Sequence, residues 1–324
     1  MPEAFIIDAV RTPVTRRKGG GEVGGGGLST VHPADLGAHV ITALLDRAQA
    51  DPGAVDDVVF GCVDTVGPQA GDIARTAWLA AGLPEAVPGV TVDRQCGSSQ
   101  QAVHFAAQAV LSGTAGLVVA GGVQNMSMVP IGSAMGPEDP FSSSEGWRAR
   151  YGAEEISQFR AADLIAARWG IGRAEMERYA LASHRRAARA IDGGAFDAEI
   201  VPYRGVTLDE GPRRDTTLEK MAALRPLREG GTITAALSSQ ISDGAVSIST
   251  GSSPRADRWV IRARGRSPCQ RTASSEAISR AAAPSEIWLD SAAVIVPPSR
   301  SGRSAAIFSS VVSRRGPSSR VTPR

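Results

Sequence analysis

Short apolar runs recur through the first 120 residues: AFIIDAV from Ala4, DDVVFGCV from Asp56, VPGVTV from Val87 and LVVA from Leu117. Each is too short for a helix and rich enough in branched residues for a buried strand. Amphipathic stretches separate them. From Asp35, read as an N-cap, Leu36, Val40 and Leu44 recur at four-residue spacing with Ile41, Leu45 and Ala48 beside them, and GDIARTAWLAAGLP gives a second helix. A third, alanine-rich helix follows Cys96. It leads to a strand over Leu117–Ala120, closed by Gly121-Gly122. This alternation predicts an α/β layer around a buried, largely parallel sheet. RTPV turns the chain after the first strand into the glycine-rich KGGGEVGGGGLS, whose spacing fits no phosphate-binding fingerprint and reads as a surface loop.

Between Val123 and Thr234 the texture changes to charged helical stretches such as QFRAADLIAARWG and RAEMERYALASHRRAARAI, broken by Gly and Pro. An inserted, mainly helical subdomain accounts for that pattern. GGTITAALSSQISDGAVSI then returns to sheet-like alternation. The expected units are 1–122 and 235–250 as core, 123–234 as insertion and 251–324 as a tail. From Gly251 onward the chain carries 13 Arg, no Lys, 4 acidic residues and 16 Ser, a net of +9 against −7 for the first 250 positions. With no sustained period, the tail reads as poorly ordered.

Three cysteines, Cys62, Cys96 and Cys269, are odd in number and far apart, which suits neither a disulfide framework nor a paired-ligand metal site. Cys96 is distinguished by its setting, TVDRQCGSSQQAVHFAAQAV. If the helix begins near Gly97, the sulfur stands at a helix N-terminus, where free N–H groups and the dipole favour negative charge. Gly97, Ser98 and Ser99 add little bulk, and Ala102, Ala106, Ala107 and Ala109 let the helix approach another backbone closely. Such placement suits a nucleophile that receives an acyl group and passes it on. His184, among Arg185, Arg186 and Arg189, reads as solvated, and His104 as a core histidine.

VDRQCGSSQQA followed by VVAGGVQNMSM resembles the nucleophile region of the thiolases, the acetyl-CoA acetyltransferase and 3-ketoacyl-CoA thiolase family. AFIIDAVRTPV is similar to the family's opening strand, GRAEMERYALASHRRAARAIDGGAFDAEIVP to its loop domain and TLEKMAALRPLREGGTITAALSSQISDGA to the return into the core. The likeness runs from about Glu3 to Ser247 and implies the N-terminal half of a layered α/β thiolase core with its loop domain.

That resemblance implies that Cys96 attacks an acyl-CoA or 3-ketoacyl-CoA thioester, holds the acyl group and transfers it to CoA or to the carbanion of acetyl-CoA. It places Ser239 near the pantetheine arm and Arg213 and Arg214 near the CoA phosphates, with Met126 and Met128 on the way to the pocket. Coenzyme A and acyl-CoA enter as substrates, with no permanently bound cofactor and no metal. ISQFRAAD stands where some acetyl-CoA thiolases carry a histidine, a form resembling degradative enzymes for larger acyl chains, steroid-derived ones included. A homo-oligomer, dimer or tetramer, is implied, and the cytoplasm is the expected location, since no run reaches the roughly 18 apolar residues of a membrane span.

In the family a second α/β half supplies an Asn-Glu-Ala-Phe segment, a Gly-His-Pro histidine and a second cysteine. None is recognisable after Ser247; no histidine follows His184, and Cys269 lies in RSPCQRT. The expectation is therefore slight or no turnover by this chain alone, and a tail that is an out-of-frame or replaced end. The other reading is a non-catalytic module that binds CoA or pairs with an intact thiolase subunit. Nucleic-acid binding through the Arg/Ser tail is not expected, because the tail lacks a recognition motif and interleaved aromatics.

Overall fold

The computed structural model describes residues 3–16, 26–136 and 140–252. The expectations for the tail and Cys269, and most of the glycine-rich loop, fall outside these residues. In chain order the elements are β1 (Phe5–Arg11), β2 (Thr15–Arg16), α1 (Pro33–Ala48), β3 (Asp57–Gly61), α2 (Ile73–Ala80), β4 (Gly89–Val92), α3 (Ser98–Ser112) and β5 (Leu117–Asn125). The insertion supplies α4 (Glu145–Tyr151), α5 (Gln158–Trp169), α6 (Arg173–Asp192) and α7 (Leu218–Ala222), and β6 (Ser242–Gly251) returns to the sheet.

The sheet runs β1-β6-β5-β3-β4, with β2 also paired to β6. It is mixed rather than largely parallel. β3 pairs in parallel with β4 and β5, as βαβ crossovers require, but β6 enters from the insertion and runs antiparallel between β1 and β5. Strand β5 continues through Gly121-Gly122 to Asn125, because those glycines sit where a neighbouring backbone comes too close for a side chain. Helix α1 starts at Pro33, capped by His32, whose Nδ1 accepts from the Ala34 N–H at 3.2 Å; Asp35 lies in the first turn instead of at the cap.

Alternate strand residues feed two cores, which is why the strands read as continuous apolar runs. Val58, Phe60, Val119 and Val123 pack with α1 and α2, around the fully buried Trp78. Val59, Val118, Ala120, Val246 and Ile248 pack under Ala102, Val103, Ala106 and Val110 of α3. The opposite side of α3 carries Phe105, Leu111 and His104, all exposed, so His104 is not the core histidine its helix suggested. The buried hydroxyls of Ser247, Ser249 and Thr250 on β6 have no hydrogen-bond partner among the described residues.

Two devices tie the pieces together. Gly61 and Gly122 let the first turn of α3 rest on the strand ends: a Cβ at Gly61 would strike the Ser99 nitrogen and Ser98 carbonyl, and one at Gly122 would strike the Ser99 side chain. The second is Arg11, buried, which pairs with Glu199 at 2.8 Å and Asp209 at 2.7 Å. Backbone bonds Arg11 N–H to Glu199 C=O and Val201 N–H to Arg11 C=O lay the segment after α6 along β1. Among the described residues the cluster under the insertion is small: Leu181 and Met221 with Ala236 of the segment that returns to the core.

Gly61→Ala is expected to cost about 3 kcal/mol or more through forced overpacking against backbone. Gly146→Ala, in α4 with open space around the added methyl, is expected to be neutral or stabilising by up to about 1 kcal/mol. Urea midpoints of the two variants check the contrast.

Burial holds the imidazoles of His39 and His184 below the usual range; backbone carbonyls of Val201 and Pro202 partly oppose this for His39, while the charges of Arg213 and Arg16 add to it for His184. The unfolded imidazoles take up protons near pH ~6.5 more readily than the folded ones. Their contribution to stability is thus complete above that pH and lost as pH falls below it. Urea unfolding at pH 7.5 and 5.5 should show this drop, reduced in a His39→Gln/His184→Gln variant.

Candidate active site

Cys96 stands on a sharp turn between β4 and α3. After Val92 the chain folds back: the Asp93 carboxylate accepts from the Gln95 N–H at 2.8 Å, and Gln95 adopts a left-handed φ of 50°. A non-glycine residue there costs on the order of 1–2 kcal/mol, so local bonds must hold it. They are present: Gly97 N–H to Arg94 C=O (3.1 Å), Ser98 N–H to Gln95 C=O (3.0 Å) and a buried Ser98 hydroxyl that accepts from Arg94 N–H and donates to Gln95 C=O. The N-cap of α3 is Gly97, as its sequence indicated, with no side-chain bond of its own. The thiol of Cys96 is exposed on this turn.

The other described cysteine has the opposite character. Cys62, one residue beyond β3, is 2% exposed within the α1-side core. Burial, and then the charges of Asp93 and Asp64, push its thiol up to about 12. At neutral pH it is a small core side chain, not a nucleophile.

The carboxyl ends of β3, β4 and β5 share one edge of the sheet with the first residues of β6, since Asn125 pairs with Asp243. Ligands of α/β sheets bind at such an edge. Buried polar side chains fix its loops. Asn125 donates to the carbonyls of Leu28 and Val31 and accepts from Met128 N–H, while Gln69 reaches the carbonyls of Val63 and Asp64 and accepts from Asn125 N–H. Asp64 holds the amides of Gly132 and Ala134 at 2.9 and 2.7 Å. Asp243 holds the amide and hydroxyl of Ser127; burial raises its carboxyl, against the bonds from Ser127 and Thr15. Met126 is buried and Met128 exposed at this frame.

Ser239 is half-buried, three residues before β6, and so belongs to the same edge as Cys96. Three strand steps separate β4 from β6, a lateral span of about 14 Å. Arg213 and Arg214 differ. Arg214 is exposed and already paired with Asp192 at 2.8 Å. Arg213 is half-buried beside Arg16 and His184; its guanidinium reaches Ala235 C=O at 3.2 Å, and no carboxylate pairs with it or with Arg16 among the described residues. His184 is not solvated as its arginine neighbours suggested: its Nδ1 accepts from Arg213 N–H at 3.3 Å.

Sequence reasoning passed over Arg16 and the turn-holding role of Ser98. The signal for the latter was DRQCGS itself, with Asp and Ser flanking a turn that must reverse within five residues.

Comparison with known proteins gives a consistent answer. The family model described as "Thiolase, N-terminal domain" matches residues 4–249. The steroid 3-ketoacyl-CoA thiolase FadA6 of Mycobacterium tuberculosis is 57% identical over 261 residues, covering 76% of this chain and 61% of that protein. The beta-ketoadipyl-CoA thiolase of Pseudomonas aeruginosa is 38% identical, covering 82% of this chain and 69% of that protein. The crystal structure of the Bacillus anthracis acetyl-CoA acetyltransferase superposes with a TM-score of 0.66 at 32% identity, over 80% of this chain and 68% of that one. The chain thus spans about three fifths of the length of its steroid thiolase relative. On the matched N-terminal domain and these identities, the chain belongs to the thiolase family.

Proposed function

We propose that this chain carries the nucleophilic half of a thiolase acyltransferase. The thiolate of Cys96 attacks the C3 keto carbon of a 3-ketoacyl-CoA, the C2–C3 bond breaks, acetyl-CoA leaves as a carbanion that takes up a proton, and the shortened acyl group stays on Cys96 as a thioester. In the condensing direction the thiolate attacks the thioester carbonyl of an acyl-CoA and the C–S bond breaks with CoA as the leaving thiolate. A second CoA thiolate, or the carbanion of acetyl-CoA, then takes the acyl group and restores the cysteine. The observation that carries this reading is the contrast between the two described thiols: Cys96 exposed on a braced turn at the carboxyl edge, Cys62 buried with its acidity suppressed.

CoA is proposed as substrate rather than resident cofactor, its pantetheine arm passing Ser239. The relative named as a steroid 3-ketoacyl-CoA thiolase supports a bulky 3-ketoacyl-CoA as the acyl donor. Work in the cytoplasm as a dimer or tetramer belongs to the same proposal, as does the division into core (1–122, 235–250) and loop domain (123–234). Among the described residues no helix is long and apolar enough to cross a membrane.

Mass spectrometry of the full chain after incubation with acetoacetyl-CoA should find the acyl adduct on Cys96, absent in Cys96→Ala and absent from Cys62. A folded chain without that adduct overturns the nucleophile assignment. For the CoA phosphates, Arg213 is the better placed of the two arginines, because the charge of Arg214 is already matched by Asp192. Arg213→Ala is expected to weaken CoA binding on the order of tenfold, the worth of one charge-assisted hydrogen bond, and Arg214→Ala by less than about twofold. Isothermal titration with CoA reads both.

A further inference from the structure

We propose that Ser98 is a positioning residue for Cys96: its buried hydroxyl fastens the left-handed turn at Gln95 and so fixes where the nucleophilic sulfur stands. The inference rests on the reading of Cys96 as nucleophile. A serine at a helix start ordinarily accepts a bond from an amide two or three residues ahead. This one looks backwards. It accepts from Arg94 N–H at 2.9 Å and donates to Gln95 C=O at 2.5 Å, closing a loop across Cys96. Its bonds therefore serve the turn and not the helix, whose N-cap is the bare Gly97.

The anchor for this brace is the sheet. The Ser98 carbonyl and the Ser99 nitrogen lie so close to Gly61 that no Cβ fits there, and the Ser98 side chain is 3% exposed. On the other side of the turn, Val92 is held in β4 by its pairing with Gly61. Cys96 is thus suspended between two points fixed to one strand, and the hydroxyl carries that rigidity across the five intervening residues, Asp93 to Gly97. Gln95 could leave its left-handed conformation at a gain in backbone energy; Asp93 and Ser98 are the side chains that oppose this. Acyl transfer requires the sulfur within about 3–3.5 Å of a carbonyl carbon presented at a set angle, whereas a small, freely tumbling alkylating agent makes no such demand.

The test measures two rates at Cys96 in the full chain: acylation by acetoacetyl-CoA and alkylation by iodoacetamide. Ser98→Ala is expected to slow acylation roughly tenfold or more while changing alkylation less than about threefold. Ser98→Thr, which keeps the hydroxyl, should retain most of the acylation rate. Gln95→Gly/Ser98→Ala should recover at least about threefold over Ser98→Ala, because glycine takes the left-handed conformation without a brace. An acylation rate in Ser98→Ala within about twofold of wild type overturns the inference, as does equal slowing of both rates without rescue by Thr or by Gly at position 95. A wild-type chain alkylated but never acylated at Cys96 overturns the nucleophile reading instead, and the positioning role with it.

Discussion

Everything at the carboxyl edge of the sheet follows from one close approach: the first turn of α3 lying directly on the ends of β3 and β5 at Gly61 and Gly122. A side chain at Gly61 would strike the helix backbone at Ser98 and Ser99, and one at Gly122 the Ser99 side chain, so either would disturb the seat from which Cys96 is presented. The apolar seam under α3, Ala102 and Ala106 against Val118 and Ala120, adds adhesion between helix and sheet. The glycines fix height. The polar bonds of the turn then convert a seated helix into an aimed side chain.

The same edge shows how buried polar groups specify loops that an apolar core cannot. Asn125, Gln69 and Asp64 each bond several main-chain groups of these loops, and Asp243 holds both the amide and the hydroxyl of Ser127. Such groups bring little net stability, yet each would be costly to leave unsatisfied, so together they admit one arrangement of the loops. Arg11 does the corresponding work for the insertion. Its guanidinium, taken out of water, is repaid only when both Glu199 and Asp209 are in place.

Much of this was legible in the chain. The short apolar runs, helical periods and glycine breaks located the elements of the core, and Cys96 at the start of an alanine-rich helix pointed to the site. What periodicity could not supply was the partner of each strand. β6 and β1 are alike in pattern to any buried strand, and nothing local in GAVSIST says that it runs antiparallel between the first strand and the fifth. Gly121-Gly122 read as a stop because glycine disfavours strands, when here Gly121 meets the Val246 backbone of β6 and Gly122 meets the Ser99 side chain and the Gly61 carbonyl. His104 and His184 were misplaced for a related reason: burial depends on which helix face meets a neighbour, and that was fixed by long-range packing. Ser98 escaped notice because a serine after Gly at a helix start is ordinary, and only the direction of its bonds sets it apart.

The strand order also has a consequence in time. Of the described strands β1 is made before the others, but within the sheet its partner is β6, with Phe5 paired to Gly251. At a synthesis rate of about 5–20 residues per second, the first strand waits roughly 12–50 s for its neighbour. During that interval β5 is unpaired on the same side, and the two edges that β6 will fill stand open together. Of the described strands it is the latest made, β6, that must enter the middle of the sheet and close both edges at once.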